Sequence, residues 1–339
     1  MNAIAARADR WLAQRWYGGV APGVVLRVLA RAFGWWVARR AEAYRAGRMR
    51  VERIGAAVIV VGNVVVGGTG KTPLTIALAH WLLAQGRRPG VVTRGYGRRG
   101  REPLWARAAT DPRLAGDEPV LIAQRTDVPV RVDRDRVRGA HELVAAGCDV
   151  VIADDGLQHY RLGRDLEIEV VDAARGYGNG LPLPAGPLRE PLARARRCDL
   201  RVIAGDAERT DDAAMPPTFR MRLQPLTAMA LASGERVALD VFRGHRVHAL
   251  AGIGNPSRFF ATLRALGIEP IEHVFADHHA FRADDLAFAD ALPVLMTEKD
   301  AVKCRGFADA RCFAVAVEAQ LTPAFYHALS AALLRSEGR

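Results

Sequence analysis

Cysteine is scarce in this chain. Its 339 residues hold four, Cys148, Cys198, Cys304 and Cys312, and no two stand as CxxC, so neither a zinc site nor a disulfide framework is expected and a reducing compartment fits. Long apolar runs are also missing. Arg15, Arg27 and Arg31 interrupt the best candidate before it reaches the roughly 18 residues that a membrane span needs. A signal peptide's uninterrupted apolar core is absent, because Arg7, Asp9, Arg10 and Arg15 break up the N-terminus; no export is expected. There is no internal repeat or low-complexity tract. With 50% of residues apolar and 25% charged, the chain has an ordinary globular balance, long enough for one large or two medium domains.

Acidic residues are nearly absent from the first fifty positions, where ten Arg face only Asp9 and Glu42. That segment carries +8 of the formal +11, leaving +3 for the remaining 289 residues. Four of the six Trp (Trp11, Trp16, Trp35 and Trp36) fall in the same stretch. Advanced at helical pitch from Val25, the positions Val28, Leu29, Ala32, Phe33, Trp35 and Trp36 share one arc, with Arg27 and Arg31 opposite. Residues 1–50 therefore read as a basic amphipathic segment that lies on an anionic membrane surface. The alternative is a helix that packs its Trp face on the rest of the protein. Because the positive charge is N-terminal and interleaved with tryptophan, no nucleic-acid partner is expected.

From Ala56 onward short β-branched runs alternate with helical stretches, the pattern of a parallel sheet wrapped by helices. Strands are expected at 57–61, 90–93, 128–132, 149–153, 166–171 and 200–204, with helices at 72–85, 118–125 and 134–146. Residues 174–191, rich in Gly and Pro, read as a long functional loop near the sheet's edge. Residues 221–241 read as a hairpin around Ser233-Gly234, followed by strands at 247–251, 271–275 and 294–297 and a helix at 257–266. The expected fold is α/β: a doubly wound, mostly parallel sheet holding a phosphate loop (51–220), then a linking hairpin and a smaller α/β domain (221–339).

The run from Val58 to Pro73 is strand, glycine-rich turn and helix. Glycines let backbone N–H groups close around phosphate oxygens, and the helix N-terminus adds partial positive charge. Val65, Val66, Gly67, Gly68, Thr69, Gly70, Lys71 and Thr72 are thus the expected ATP-binding residues, Lys71 neutralising phosphate charge and Thr72 ligating Mg²⁺. The loop is a variant. The common GxxxxGK[ST] spacing wants glycine at Val65, and the signature lysine of partition and targeting ATPases would fall on Val66.

A second apolar run, 148–153, ends in Asp154 and Asp155, where a phosphate-loop fold holds its metal-side acids. Two adjacent acids are also at home in a simple turn. Transfer to an alcohol further needs a proton acceptor. Asp117, at a predicted helix start, and His278, in Asp277-His278-His279, are the candidates; capping alone would also favour an acid at position 117. Arg94, Arg134 and Arg189 offer cations for an anionic acceptor.

The phrases VGNVVVGGTGKTP, TRGYGRRG, GDEP, DDGLQH, GPLREP, GIGNP, FADHHAF and MTEKDAVKC occur in an order that resembles the tetraacyldisaccharide 4′-kinase family over nearly the whole chain. The resemblance implies transfer of the ATP γ-phosphate to the 4′-hydroxyl of lipid A disaccharide 1-phosphate, with Mg²⁺, at the cytoplasmic face of the Gram-negative inner membrane. It implies a catalytic pair, Asp117 with His278 as its partner, and metal-side roles for Thr72, Asp154 and Asp155. It matches Arg94, Glu118, His159 and Arg189 to family positions read here as substrate contacts. The rival reading is a membrane-associated ATPase that uses the nucleotide as a switch.

Overall fold

The computed structural model describes residues 11–205 and 214–337; Arg7, Asp9 and Arg10 lie outside them. Among the described residues thirteen strands form one sheet. In chain order they are β1 Ala57–Gly62, β2 Pro89–Thr93, β3 Leu104–Ala106, β4 Val130–Val132, β5 Val150–Asp154, β6 Leu166–Asp172, β7 Leu200–Ala204, β8 Thr218–Ala230, β9 Arg236–Ala238, β10 Arg246–Ala251, β11 Glu269–Val274, β12 Val294–Thr297 and β13 Cys312–Leu321. The helices are α1 Val24–Arg45, α2 Lys71–Ala84, α3 Pro112–Ala115, α4 Asp117–Arg125, α5 Arg136–Ala145, α6 Pro256–Ala265, α7 Glu298–Cys304 and α8 Pro323–Glu337.

The spatial order is β11-β10-β12-β13-β8-β7-β6-β1-β5-β2-β4-β3, with β9 paired to β8. Pairing is parallel except at β13/β8, β8/β9 and β3/β4, so the mostly parallel α/β class read from the sequence holds. Burial explains it: β1, β2, β5 and β7 are almost wholly buried, as strands covered by helices on both faces must be. Leu74, Leu78 and Leu82 of α2 pack on one face with Ile59, Val61 and Ile152, and each fully buried leucine contributes about 1.5–3 kcal/mol. Leu143 of α5 and Leu188 cover the other face.

Position 220 lies inside β8. This thirteen-residue strand pairs in parallel with β7 through 218–221 and antiparallel with β13 through 221–230, joining the two halves of the sheet. The expected hairpin is present, but its turn spans 231–235 and its second strand is three residues long. β13 and α8 were not anticipated. α8 returns to the first half, where Phe325 and Leu329 join the core under β1 and β6. The 174–191 loop leaves the carboxyl end of β6, a central strand, and lies at the carboxyl edge of the sheet, where its Pro187 and Arg189 backbone groups bond Val66 and Val64 of the phosphate loop.

α1 docks through its small residues. Ala30 and Gly34 are buried, and a Cβ on Gly34 would stand 3.0 Å from Pro182. The opposite arc, Val24, Val25, Val28, Leu29, Trp35 and Trp36, is more than half exposed throughout. The alternative of a Trp face packed on the protein therefore fails. No described helix is long and apolar enough to cross a membrane.

Candidate functional site

The phosphate loop runs from the buried end of β1 into α2. Gly70 precedes α2 at φ 96°, a left-handed conformation that glycine adopts without strain, and a Cβ there would crowd Met221 Cε at 3.1 Å and Ala204 Cβ at 3.2 Å. Val65, where the common motif has glycine, is buried and bridges to Leu188. Val66 donates its N–H to Pro187 O at 2.9 Å. The loop's departure from the common spacing is thus supported from outside by the 174–191 segment. Lys71 Nζ donates to Asn63 Oδ1 at 3.3 Å and lies 3.6 Å from Asp155 Oδ1.

Asp154 and Asp155 meet this loop at the carboxyl end of β5. Asp154 is fully buried and accepts from Thr75 Oγ1 at 3.2 Å; burial, then the charges of Glu118 and Asp155, push its pKa up to about 7. Asp155 goes the other way. Burial would raise it, but Lys71 and the fork of Arg189, at 2.8 and 3.0 Å, hold it well below the usual carboxylate range. Its φ is 49°.

Asp117 and Glu118 open α4, after Gly116 at φ 97°. His278 comes from the loop after β11 and places Nδ1 3.0 and 3.1 Å from the two Asp117 oxygens. A carboxylate only accepts, so the proton lies on Nδ1. Lys299 Nζ contacts Glu118 Oε1 at 3.1 Å, Asp277 Oδ1 at 3.3 Å and His278 Nε2 at 3.4 Å, tying the two halves of the chain together. Burial pushes the Asp117 carboxyl up, yet the His278 hydrogen bond and the Lys299 and Lys303 charges outweigh it and hold it below the ordinary value. Burial lowers His278, but the Asp117 hydrogen bond and charge raise it above an ordinary imidazole. Among the described residues the non-glycine positions with positive φ are Asp155 and His278, strain of the kind that collects at working sites.

Arg94 is exposed at the end of β2 and electrostatically coupled to buried Arg136. Arg134 lies near Arg98 in the same way. His159 sits beside Arg136 and Arg164, its pKa pushed down to about 4 by burial and those cations, and its Nε2 is buried without a partner. The structure thus gathers Lys71, Thr72, Asp117, Glu118, Asp154, Asp155, Arg189 and His278 around one sheet edge.

A cavity of about 210 Å³ runs from Gly68–Pro73 past Glu118 to Ile253, Asn255, Arg258, Phe259 and Val317. These second-half residues, and Lys299, received no role from sequence; a signal was present for Ile253 and Asn255 in the GIGNP phrase and for Lys299 in MTEKDAVKC. Gly254 closes the approach, since a Cβ there would lie 2.8 Å from the Gly68 nitrogen.

The profile described as tetraacyldisaccharide-1-P 4′-kinase matches residues 23–334. The tetraacyldisaccharide 4′-kinase of Stenotrophomonas maltophilia (strain R551-3) is 53% identical, covering 93% of this chain and 94% of that protein. That of Xanthomonas euvesicatoria pv. vesicatoria (strain 85-10) is 52% identical, covering 93% of each. Among solved structures, the "apo" form LpxK from Aquifex aeolicus in complex with ATP superposes with a TM-score of 0.76 at 29% identity, covering 91% of this chain and 97% of that one.

Proposed function

Because the chain belongs to the tetraacyldisaccharide-1-P 4′-kinase family, we propose that Asp117 and His278 are its proton-handling pair and that residues 65–72 hold its ATP. It is a kinase of lipid A biosynthesis that transfers the ATP γ-phosphate to the 4′-hydroxyl of tetraacyldisaccharide 1-phosphate. The observation that carries the assignment of roles is the 3.0 Å contact between His278 and Asp117, residues 161 positions apart that meet beside the phosphate loop. Asp117 takes the 4′-hydroxyl proton as the sugar oxygen bonds the γ-phosphorus, and the bond from that phosphorus to the β–γ bridging oxygen breaks, leaving ADP. His278 orients the carboxylate, and Lys71 offsets phosphate charge.

The residues at the carboxyl edge suit Mg²⁺: Thr72, Asp154 and Asp155 offer only hard oxygen donors, and burial with the charges of Glu118 and Asp155 raises Asp154, a strain that a cation there would relieve. Among the described residues no group of three His, Cys, Asp or Glu could hold a metal ion. Thr72, Asp154 and Asp155 would hold Mg²⁺, which would supply positive charge to offset that developing on the transferring phosphoryl group.

The exposed Val24–Trp36 arc supports seating the enzyme peripherally on an anionic membrane, the cytoplasmic face of the inner membrane, with Arg94, Arg189 and His159 lining the path of the sugar. An acylated acceptor leaves a bilayer at a cost of about 0.8 kcal/mol per CH₂, so the enzyme must go to the lipid. The test is thin-layer chromatography after incubation with γ-labelled ATP and lipid A disaccharide 1-phosphate: a labelled lipid is expected, and ATP turnover without one would favour the nucleotide switch.

A further inference from the structure

Asp300 is fully buried in the first turn of α7, and the reaction above gives it no role. Its Oδ2 is fixed by donors from two elements, the Gly252 N–H after β10 at 2.9 Å and the Thr297 hydroxyl at 2.7 Å. Oδ1 is turned to Lys303, whose Nζ lies 2.8 Å away. That ammonium stands over the Phe281 ring, 5.0 Å from its centroid, and 3.8 Å from Asp117 Oδ2. It is close enough for its charge to act on the carboxylate and too far to hydrogen-bond it.

Asp117 has little room for another donor. Oδ1 accepts the Glu118 N–H at 2.9 Å, and His278 Nδ1 lies 3.1 and 3.0 Å from Oδ1 and Oδ2. A carboxylate oxygen has two lone pairs, so Oδ2 keeps one for an incoming proton. A hydrogen bond from Lys303 would fill it. Lys299, the other ammonium acting on Asp117, is drawn aside by Glu118 at 3.1 Å and Asp277 at 3.3 Å.

We propose that Asp300 is a positioning residue: it holds Lys303 back from Asp117, so that the base has a positive neighbour and an open lone pair at once. The inference rests on the kinase reading above and adds to it the residue that sets this spacing. Capping of α7 does not require a carboxylate at position 300, since an asparagine there could still accept from Gly252 and Thr297. Its NH₂ would then face Lys303 and could not hold an ammonium. Released from Asp300, Lys303 closes on the carboxylate 3.8 Å away.

The test uses the full chain in mixed micelles with γ-labelled ATP and lipid A disaccharide 1-phosphate, comparing Asp300→Asn, Lys303→Met and the double variant. In Asp300→Asn the plateau kcat falls about tenfold or more, part of the weight of a general base, with little change in the KM for ATP. In Lys303→Met the acidic limb of the kcat profile moves to higher pH by about one unit or more, because a cation that favoured ionised Asp117 is gone. The double variant recovers the plateau of Lys303→Met, since no ammonium remains to occupy Oδ2. An Asp300→Asn plateau equal to the parent's, an unmoved limb in Lys303→Met, or a double variant as slow as Asp300→Asn overturns the assignment. A parent that labels no lipid sinks the kinase reading itself, and this inference with it. Melting temperatures of the same samples report the fold; should Asp300→Asn melt early, Lys303→Arg, whose planar fork can span both carboxylates, must show the same loss of plateau.

Discussion

Asp117 shows how neighbours tune a carboxylate for this site. It is 4% exposed, and burial alone would keep it protonated; His278, Lys299 and Lys303 reverse that. Asp117→Ala is expected to lower kcat by about 100-fold or more, the scale of a lost general base, with little change in the KM for ATP. An unchanged kcat would remove Asp117 from its role. His278→Ala should act through the pair: without the hydrogen bond that depresses Asp117, its pKa climbs, and the acidic limb of the kcat/KM profile moves to higher pH. The groups facing His278 are Asp117, Lys299, Asp277 and the Tyr96 ring. An acidic limb that stays in place in the variant would refute the coupling.

Glu169, buried in β6 and hydrogen-bonded by Tyr177 at 2.9 Å, behaves in the opposite sense. Burial raises its pKa from 4.5 to about 7. Its folded-state pKa lies above the unfolded one, so the native state keeps a proton that the unfolded chain loses, and stability drains away as pH rises from about 4.5 towards 7. Glu169→Gln should remove about 3 kcal/mol of that slope. Urea unfolding of parent and variant at pH 5 and pH 7.5 isolates it from Asp154, which titrates in the same range; parallel slopes would count against it.

At the level of elements, α1 divides its work between two faces. Ala30 and Gly34 let it lie close against Pro182, while Trp35 and Trp36, 63% and 55% exposed, contribute nothing visible to that packing. Replacing both tryptophans by serine should therefore weaken co-sedimentation with anionic vesicles about tenfold or more and leave the melting temperature nearly unchanged. Loss of stability without loss of binding would show that the arc serves the fold. The periodicity of α1 was legible because a one-sided helix repeats its apolar residues at a fixed pitch. Which side docks was not: the docking face is made of Ala and Gly, whose small size carries little hydropathy signal.

For the molecule as a whole, β8 and α8 matter most. β8 pairs with β7 on one side and β13 on the other, α8 carries Phe325 back into the first core, and Arg125 bonds Glu298 across the halves at 2.6 Å. With the core shared in this way, thermal unfolding monitored by far-UV circular dichroism and tryptophan fluorescence should give one coincident transition. Two separated transitions would show the halves to be independent.

The sequence by itself determined the parallel strands of the first half, the phosphate loop and the acids at its strand ends, because each depends on local pattern: continuous apolar runs, glycine where the backbone closes on phosphate, carboxylates where a strand stops. It also carried the candidate pair, since Asp117 and His278 stand in recognisable phrases. Only the tertiary structure decided that the two side chains touch, that Lys299 links Glu118, Asp277 and His278, and that β13 and α8 close onto the first half. Those contacts join residues far apart in the chain, and the long-range packing that creates them leaves no periodic trace in the sequence. The four cysteines are all buried and free, small apolar pieces of the cores on both sides of β8.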